Sequence, residues 1–379
     1  MSGNDTENVS DQLDTIANAF NRDNDPLEEF EATFNQIDLD PFQLFKNDVL
    51  QEQGLCEDTL ENYQRVFDQW VAFSAEYDRH PACPTESLVE DFARYYRDEI
   101  RNSPGTVRKK LYRLNRAYYY WQTSNSFPHP IDYNPFNSVL TKLNLSDEPT
   151  KDFPNISLSV LKDVIQNVTH IRDRPIICAQ LKTSLRATEV CNIEIPDIHI
   201  QNSELQRFYP ELGSHKMLNG HTNALYIPPK QNTGLPVKGR PGNKSQRPRI
   251  IPLDRELRKL LIRYLLIRPD TGTPWLFLST QKHNQLNNEA VNNIWIDAFH
   301  PQYRETEQHR GITSHFGRHW FTTYWRVEKN LNRELIKYMR GDETSSDSMN
   351  GRSAIDDYIH TYYEDIEDLY REHIFSLGL

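Results

Sequence analysis

The sequence predicts a two-domain chain: an all-α first domain, then a domain that is mainly α with a small β-hairpin or sheet, an α+β class. Three observations carry this. Apolar residues recur at helical spacing over most of the chain from about residue 56 onward. Two strand-like runs, Ala224-Leu225-Tyr226-Ile227 and Arg249-Ile250-Ile251-Pro252-Leu253, flank a Pro/Gly/Lys-rich stretch. Finally, 379 residues exceed what one hydrophobic core usually serves, so two domains and a tail are expected.

Residues 1–52 are acidic. The first fifty carry twelve Asp and Glu against only Arg22 and Lys46, while the whole chain has a net charge of −11. The remainder is therefore close to neutral and its basic residues are clustered, so global charge does not exclude a nucleic-acid partner. With Phe20, Phe30, Phe34, Phe42 and Phe45 spaced along it, this stretch reads as a disordered or partly helical arm. It is either a solubilising tail or a DNA-mimicking cover for the protein's own basic surface.

Residues 53–145 follow as a helical domain. Tyr63, Val66, Phe67, Trp70 and Phe73 make one apolar stripe, and Leu88, Val89, Phe92 and Tyr96 make a second. A third helix starts at Ser103-Pro104-Gly105 and interleaves Arg108, Lys109, Lys110, Arg113 and Arg116 with Tyr112, Tyr118, Tyr119 and Tyr120. Basic and aromatic residues on one helix suit contacts to a duplex backbone, or form a charged solvent face. Residues 146–156 are polar and read as a linker.

The second domain, 157–379, opens with helical patterns at 158–167 and 175–183. The hairpin comes next, its long tip carrying Lys230, Lys238, Arg240, Lys244 and Arg247. Helices resume at 255–266, 291–299, 331–338 and 355–374, the last with Tyr358, Tyr362, Tyr363 and Tyr370. No run is long and apolar enough to span a bilayer, and the start lacks the order of a secretory signal, so a cytoplasmic protein without membrane contact is expected. Cys56, Cys83, Cys178 and Cys191 are scattered, which favours burial over disulfides or a metal site.

Thr313 to His319 reads TSHFGRH. His315 and Arg318 are three apart on one helix face and can converge on a small anion. Arginine offers a planar fork for two phosphate oxygens, and histidine exchanges a proton near neutral pH. Alone, such a pair is commonly a solvated helix face. An arginine upstream, lysines on a hairpin and a tyrosine downstream give it meaning by their order.

Those pieces, in that order, resemble the tyrosine recombinase (phage integrase) family, Xer-like and of archaeal or viral type. Ser184-Leu185-Arg186-Ala187-Thr188-Glu189-Val190 looks like its first arginine motif, which makes Arg186 catalytic and Glu189 its supporting acid. His315-Phe316-Gly317-Arg318-His319 looks like its second box, with Gly317 where leucine is usual. The hairpin lysine is Lys244 by its spacing to the returning strand and Lys230 by its spacing from the outgoing one. Tyr358-Ile359-His360 resembles the nucleophile motif, with Tyr362 and Tyr363 close by. One departure stands out: Met339-Arg340-Gly341-Asp342 ends in an acid where the family commonly has histidine, which leaves Arg340 as a substitute phosphate donor.

The resemblance spans about 55–375 and implies that the first domain is the family's core-binding (SAM-like) domain. It implies a site-specific recombinase or integrase that cleaves and rejoins DNA through a 3′-phosphotyrosine intermediate, with no metal or cofactor. Its partners would be double-stranded DNA at attachment sites and further copies of itself, as a tetramer on DNA in the nucleoid. Ile374, Phe375, Leu377 and Leu379 would form an element exchanged between subunits. The alternatives are a catalytically lapsed DNA-binding regulator and a type IB topoisomerase-like enzyme.

Overall fold

Side-chain caps set many of the helix boundaries. Thr85, Ser103, Asn134, Ser157, Asp254 and Asn287 each sit at an N-cap in extended backbone and accept a hydrogen bond from the first turn. Proline follows at the first turn after Ser103 and Asn134, where its missing N–H costs nothing. The computed structural model describes residues 15–16, 19–20, 25–37, 39–53, 55, 57–145, 151–230, 241–245, 247–342 and 352–379, the backbone alone over 352–361. The chain divides into two units, Met1–Thr150 and Lys151–Leu379.

In the first unit the described elements are α1 (Glu28–Gln36), α2 (Pro41–Phe45), α3 (Glu57–Glu76), α4 (Glu86–Arg94), α5 (Pro104–Thr123) and α6 (Pro135–Lys142). The core is aromatic: Trp70 meets Phe92 and Phe136 edge-on at 5.2 Å each, and Trp121 meets Phe42 at 5.0 Å. Of the disordered or partly helical arm expected over 1–52, the described part from Asp25 onward is helical in two segments and packs on this unit. Leu27, Phe42, Phe45 and Leu50 are buried in this core. Arg79 pairs with Asp25 at 2.7 Å and Glu31 at 2.8 Å, so acidic side chains that read as solubilising serve as anchors. The part of the arm outside the described residues includes most of 1–24.

The second unit is built around α8 (Asp173–Thr183), buried along most of its length between α7 (Leu158–Asn167), α11 (Arg255–Ile267) and α13 (His315–Thr323). A three-stranded antiparallel sheet lies beside it in the order β1 (Ile198–His199), β2 (Ala224–Ile227), β3 (Arg249–Pro252). Leu225 faces Ile251 and Ile227 faces Arg249, so the hairpin expected from the sequence forms in register. The remaining helices are α9 (Ala187–Asn192), α10 (Ser203–Phe208), α12 (Asn288–Phe299), α14 (Arg333–Arg340) and α15 (Arg352–His373). No helix among the described residues is long and apolar enough to cross a membrane.

The chain's end closes this unit. Phe375 and Leu377 are buried, and Lys182, itself fully buried, donates to the Phe375 carbonyl at 2.9 Å while pairing with Asp254 at 2.6 Å and Glu256 at 2.9 Å. Glu256 in turn accepts from the backbone N–H groups of Leu377, Gly378 and Leu379 at 2.7 to 3.1 Å.

Candidate active site

Ser184 ends α8 in the left-handed region, at φ 57° and ψ 27°. That turn is unusual for a residue with a Cβ, and it carries the chain straight into Arg186 at the N-cap of α9. Glu189, one turn further, reaches back to accept from the Arg186 N–H at 2.8 Å and from its Nη1 at 3.1 Å. Glu189 is fully buried and binds a second arginine in bidentate fashion: Arg249 of β3 reaches its two oxygens at 3.0 and 2.8 Å. Burial alone would raise the Glu189 carboxyl, but the Arg249 charge and hydrogen bonds, then Arg186 and Arg318, pull it down to about 2.

Arg318 projects from α13 onto the same spot. Its Nη1 donates to the carbonyls of Ser184 at 2.6 Å and Arg340 at 2.9 Å, so both turns of backbone orient it. Burial, then the like charge of Arg186, pushes its guanidinium down to about 9, which leaves it charged at neutral pH. Gly317 just before it has a steric cause. A Cβ there would meet the Trp295 ring at 3.0 Å and the Gln180 Cβ at 3.2 Å. Trp295 is in turn held by its 2.6 Å bond to Gln180, so a larger side chain here would have to push that pair aside.

His315 begins α13 with its ring exposed near Phe153, centroids 6.4 Å apart. Partial loss of hydration, then the charges of Arg318, Arg310, Arg340 and Arg186, lower its pKa. It therefore favours the neutral imidazole, which can accept a proton.

The α14 helix delivers the last members. Gly341 caps it in the left-handed region at φ 66°, its carbonyl accepting from Ser245 Oγ at 3.0 Å. Asp342 follows. Its Oδ1 accepts from Arg186 at 2.8 Å and Arg318 at 3.1 Å, and its Oδ2 lies 2.7 Å from Arg340 Nε. Arg340 also donates from Nη1 to Thr322 Oγ1 at 2.6 Å. The acid that the sequence places here thus lies against all three arginines.

Both candidate lysines lie at the neck of the hairpin. The Lys230 N–H donates to the Ser245 carbonyl at 2.6 Å, and Lys244 is exposed between buried Asn243 and Ser245. Asn243 is held by Asn192 at 3.0 Å and by the Pro228 carbonyl at 2.9 Å, so the backbone around Lys244 is anchored beside α9. Arg247 is half-buried on the returning side, while Lys238 and Arg240 lie outside the described residues.

Tyr358 falls in the backbone of α15, and its side chain lies outside the described residues. Its neighbours are accounted for by packing. Tyr362 stacks on Tyr338 at 5.1 Å, Tyr363 is buried against His221 at 4.4 Å, and the buried Tyr370 donates to the Lys182 carbonyl at 2.8 Å.

On the first unit, Arg108 and Lys109 are exposed beside Tyr112 and Tyr119, whereas Lys110 and Arg116 are tied inward. Lys110 is buried over the Tyr96 ring at 4.3 Å and bonded to Gln69, and Arg116 donates to the Tyr63 hydroxyl at 2.8 Å. Arg113 lies 5.6 Å over the Tyr63 ring. Helical phase is the reason: Lys110 shares the face of Val107, Leu111 and Leu114 that packs inward.

A family model described as the phage integrase family matches residues 156–346, half of the chain. The chain belongs to the phage integrase family. It is accordingly a tyrosine recombinase, an enzyme that breaks and rejoins DNA. The structure of the Tn1549 transposon integrase in complex with a circular intermediate DNA is similar at 17% identity, covering 87% of this chain and 99% of that one, with a TM-score of 0.55. A lambda integrase tetramer bound to a Holliday junction matches at 12% identity over 90% and 88% of the two chains, TM-score 0.57. A lambda integrase dimer bound to a core site matches at 13% identity over 84% and 93%, TM-score 0.55. No curated protein sequence matches. At these identities the likeness speaks for the integrase fold.

Arg249 is the site residue that the sequence reading missed. It had appeared only as the first residue of a strand, and its partner Glu189 lies sixty positions away.

Proposed function

We propose that this recombinase cleaves one DNA strand at a specific site by attack of the Tyr358 phenol on a phosphodiester. The observation that carries this is the convergence of Arg186 and Arg318, from separate segments, on a single carboxylate oxygen. Two guanidinium groups held by Glu189 and by the Ser184 and Arg340 carbonyls form a preorganised anion site. The pentavalent phosphorane gains negative charge on its free oxygens, and such a site stabilises that charge without rearranging. In the step, the phenol oxygen bonds to phosphorus as the bond to the 5′ oxygen breaks. The phenolic proton passes to a base, a role neutral His315 shares, and the departing oxygen takes a proton from a hairpin lysine, Lys244 in this assignment. The product is a 3′-phosphotyrosine and a free 5′ hydroxyl, and reversal with a new 5′ hydroxyl rejoins the strand.

Arg108 and Lys109 on α5, with the hairpin tip, supply backbone contacts to the duplex, and four copies assemble on two DNA partners, in the cell's nucleoid. Related integrases crystallised as a dimer on a core site and as a tetramer on a Holliday junction support that stoichiometry.

The test is a nicked duplex carrying the element's own attachment region, resolved on a denaturing gel for wild type and for Tyr358→Phe, Tyr362→Phe and Tyr363→Phe. A protein–DNA band lost only in Tyr358→Phe supports the assignment. Loss in Tyr362→Phe instead moves the nucleophile, and no wild-type band on tightly bound DNA favours a lapsed DNA binder.

A further inference from the structure

Asp342 stands where its charge is least welcome on local grounds. It follows the C-terminus of α14, whose exposed carbonyls repel an anion. Its N–H donates to the Lys337 carbonyl at 2.9 Å, so the backbone is fixed there by the helix cap. Among the described residues the side chain is held by arginines: Oδ1 takes Arg186 and Arg318, and Oδ2 lies beside Arg340. The two oxygens thus engage three guanidinium groups, as the two free oxygens of a phosphodiester would. The fit to Arg340 is imperfect: its Nε is buried and close, yet not aligned to hydrogen-bond with the carboxylate. Asp342 itself is about a third exposed, at 31%, whereas Glu189 is fully buried.

We infer that Asp342 is a built-in stand-in for the scissile phosphate: in the DNA-free protein its carboxylate occupies the anion seat, and DNA must displace it to be cut. This rests on reading Arg186 and Arg318 as the phosphate clamp. Both ligands need the same two hydrogen-bond donors, so they exclude each other. An anion that competes with an internal one has its apparent affinity reduced by the fraction of time the seat is empty. Isolated phosphates are thereby rejected, and only DNA with enough contacts elsewhere on the protein pulls the side chain out. In the absence of DNA the same carboxylate separates the like charges of Arg186, Arg318 and Arg340 and keeps them in place.

The probe is sulfate, which keeps its charge across the working pH range, titrated calorimetrically into the DNA-free full chain at constant ionic strength. Asp342→Asn keeps the shape and removes the charge; Asp342→Ala empties the seat. Sulfate binding at least about tenfold tighter than wild type in either variant, corresponding to a seat filled about nine-tenths of the time or more, is the expected result. Restoring the charge with Asp342→Glu should weaken it again. Unchanged affinity in both variants overturns the proposal, and affinity that falls in both makes Asp342 a positioning residue for the arginines and overturns it too. Should one variant fail to fold, as judged by circular dichroism, the other decides. Adding Arg186→Gln to Asp342→Asn separates the two readings. A gain that survives it puts the anion elsewhere and defeats the clamp reading. A gain that Arg186→Gln abolishes is the expected result, whereas no gain in the Asp342 variants themselves, with cleavage of nicked DNA still lost in Arg186→Gln alone, leaves the clamp standing and defeats only the stand-in.

Discussion

Glu189 works as a joist for two arginines: it fixes Arg186 from within its own turn and Arg249 across the fold. Glu189→Gln leaves the Arg249 guanidinium, 1% exposed, without its charge partner, and breaking such a buried pair costs about 3–5 kcal/mol. Urea unfolding at neutral pH should register that loss. The pH dependence has a definite sign. The folded-state carboxyl lies below its ordinary value of 4.5, so its contribution is present above that pH and fades as the solution is acidified toward 2. Wild type should lose stability over that acid range more steeply than Glu189→Gln, and equal slopes would contradict the assignment. Arg186, His315 and Arg318 were legible in the sequence because their spacing is local: a tight turn and one helix face. Arg249 was not, because its burial depends on a strand register and on a partner in another element. Asp342 was legible as a departure from pattern, while its partners appear only when α9, α13 and α14 are brought together.

At the scale of elements, the hairpin neck offers two candidates for the lysine proposed to protonate the leaving oxygen. The Lys230 N–H donates to the carbonyl of Ser245, the residue after Lys244, so both lysines lie at the same neck and sequence spacing could satisfy both. Lys244→Ala should slow single-turnover cleavage about 100-fold or more, the ordinary worth of a general acid, with Lys230→Ala less affected. A substrate with sulfur as the bridging 5′ atom needs no protonation on departure and should restore Lys244→Ala. Rescue confined to Lys230→Ala would transfer the role. The two paired strands were readable from β-branched and aromatic residues bounded by prolines and glycines. The third, Ile198–His199, was not, since two residues carry no periodicity and pairing with Leu225 and Ala224 alone makes them a strand.

For the whole molecule, composition misled where spacing did not. Acidity over the first fifty residues outweighed the regular phenylalanines, yet Phe42 and Phe45 sit in an aromatic cluster with Phe67 at 4.4 and 6.1 Å. Deleting residues 1–52 should therefore lower the melting temperature of the first unit and expose apolar surface to a dye such as ANS, because four core side chains leave with it. Deleting only residues 1–24 leaves those contacts in place and should shift the melting temperature far less. Equal shifts would mean that Leu27, Phe42, Phe45 and Leu50 contribute little.

The chain's last residues are held largely by parts that every polypeptide has. Glu256 reads three backbone N–H groups and Lys182 reads one carbonyl, with Phe375 and Leu377 adding apolar weight. A second copy would present the same groups in the same order. The receptor has no means of telling its own terminus from a neighbour's, and the choice falls to tether length and crowding. A dilute chain keeps its end to itself. Copies held side by side on one duplex would raise each other's effective concentration, and an exchange of ends between them would then cost almost nothing.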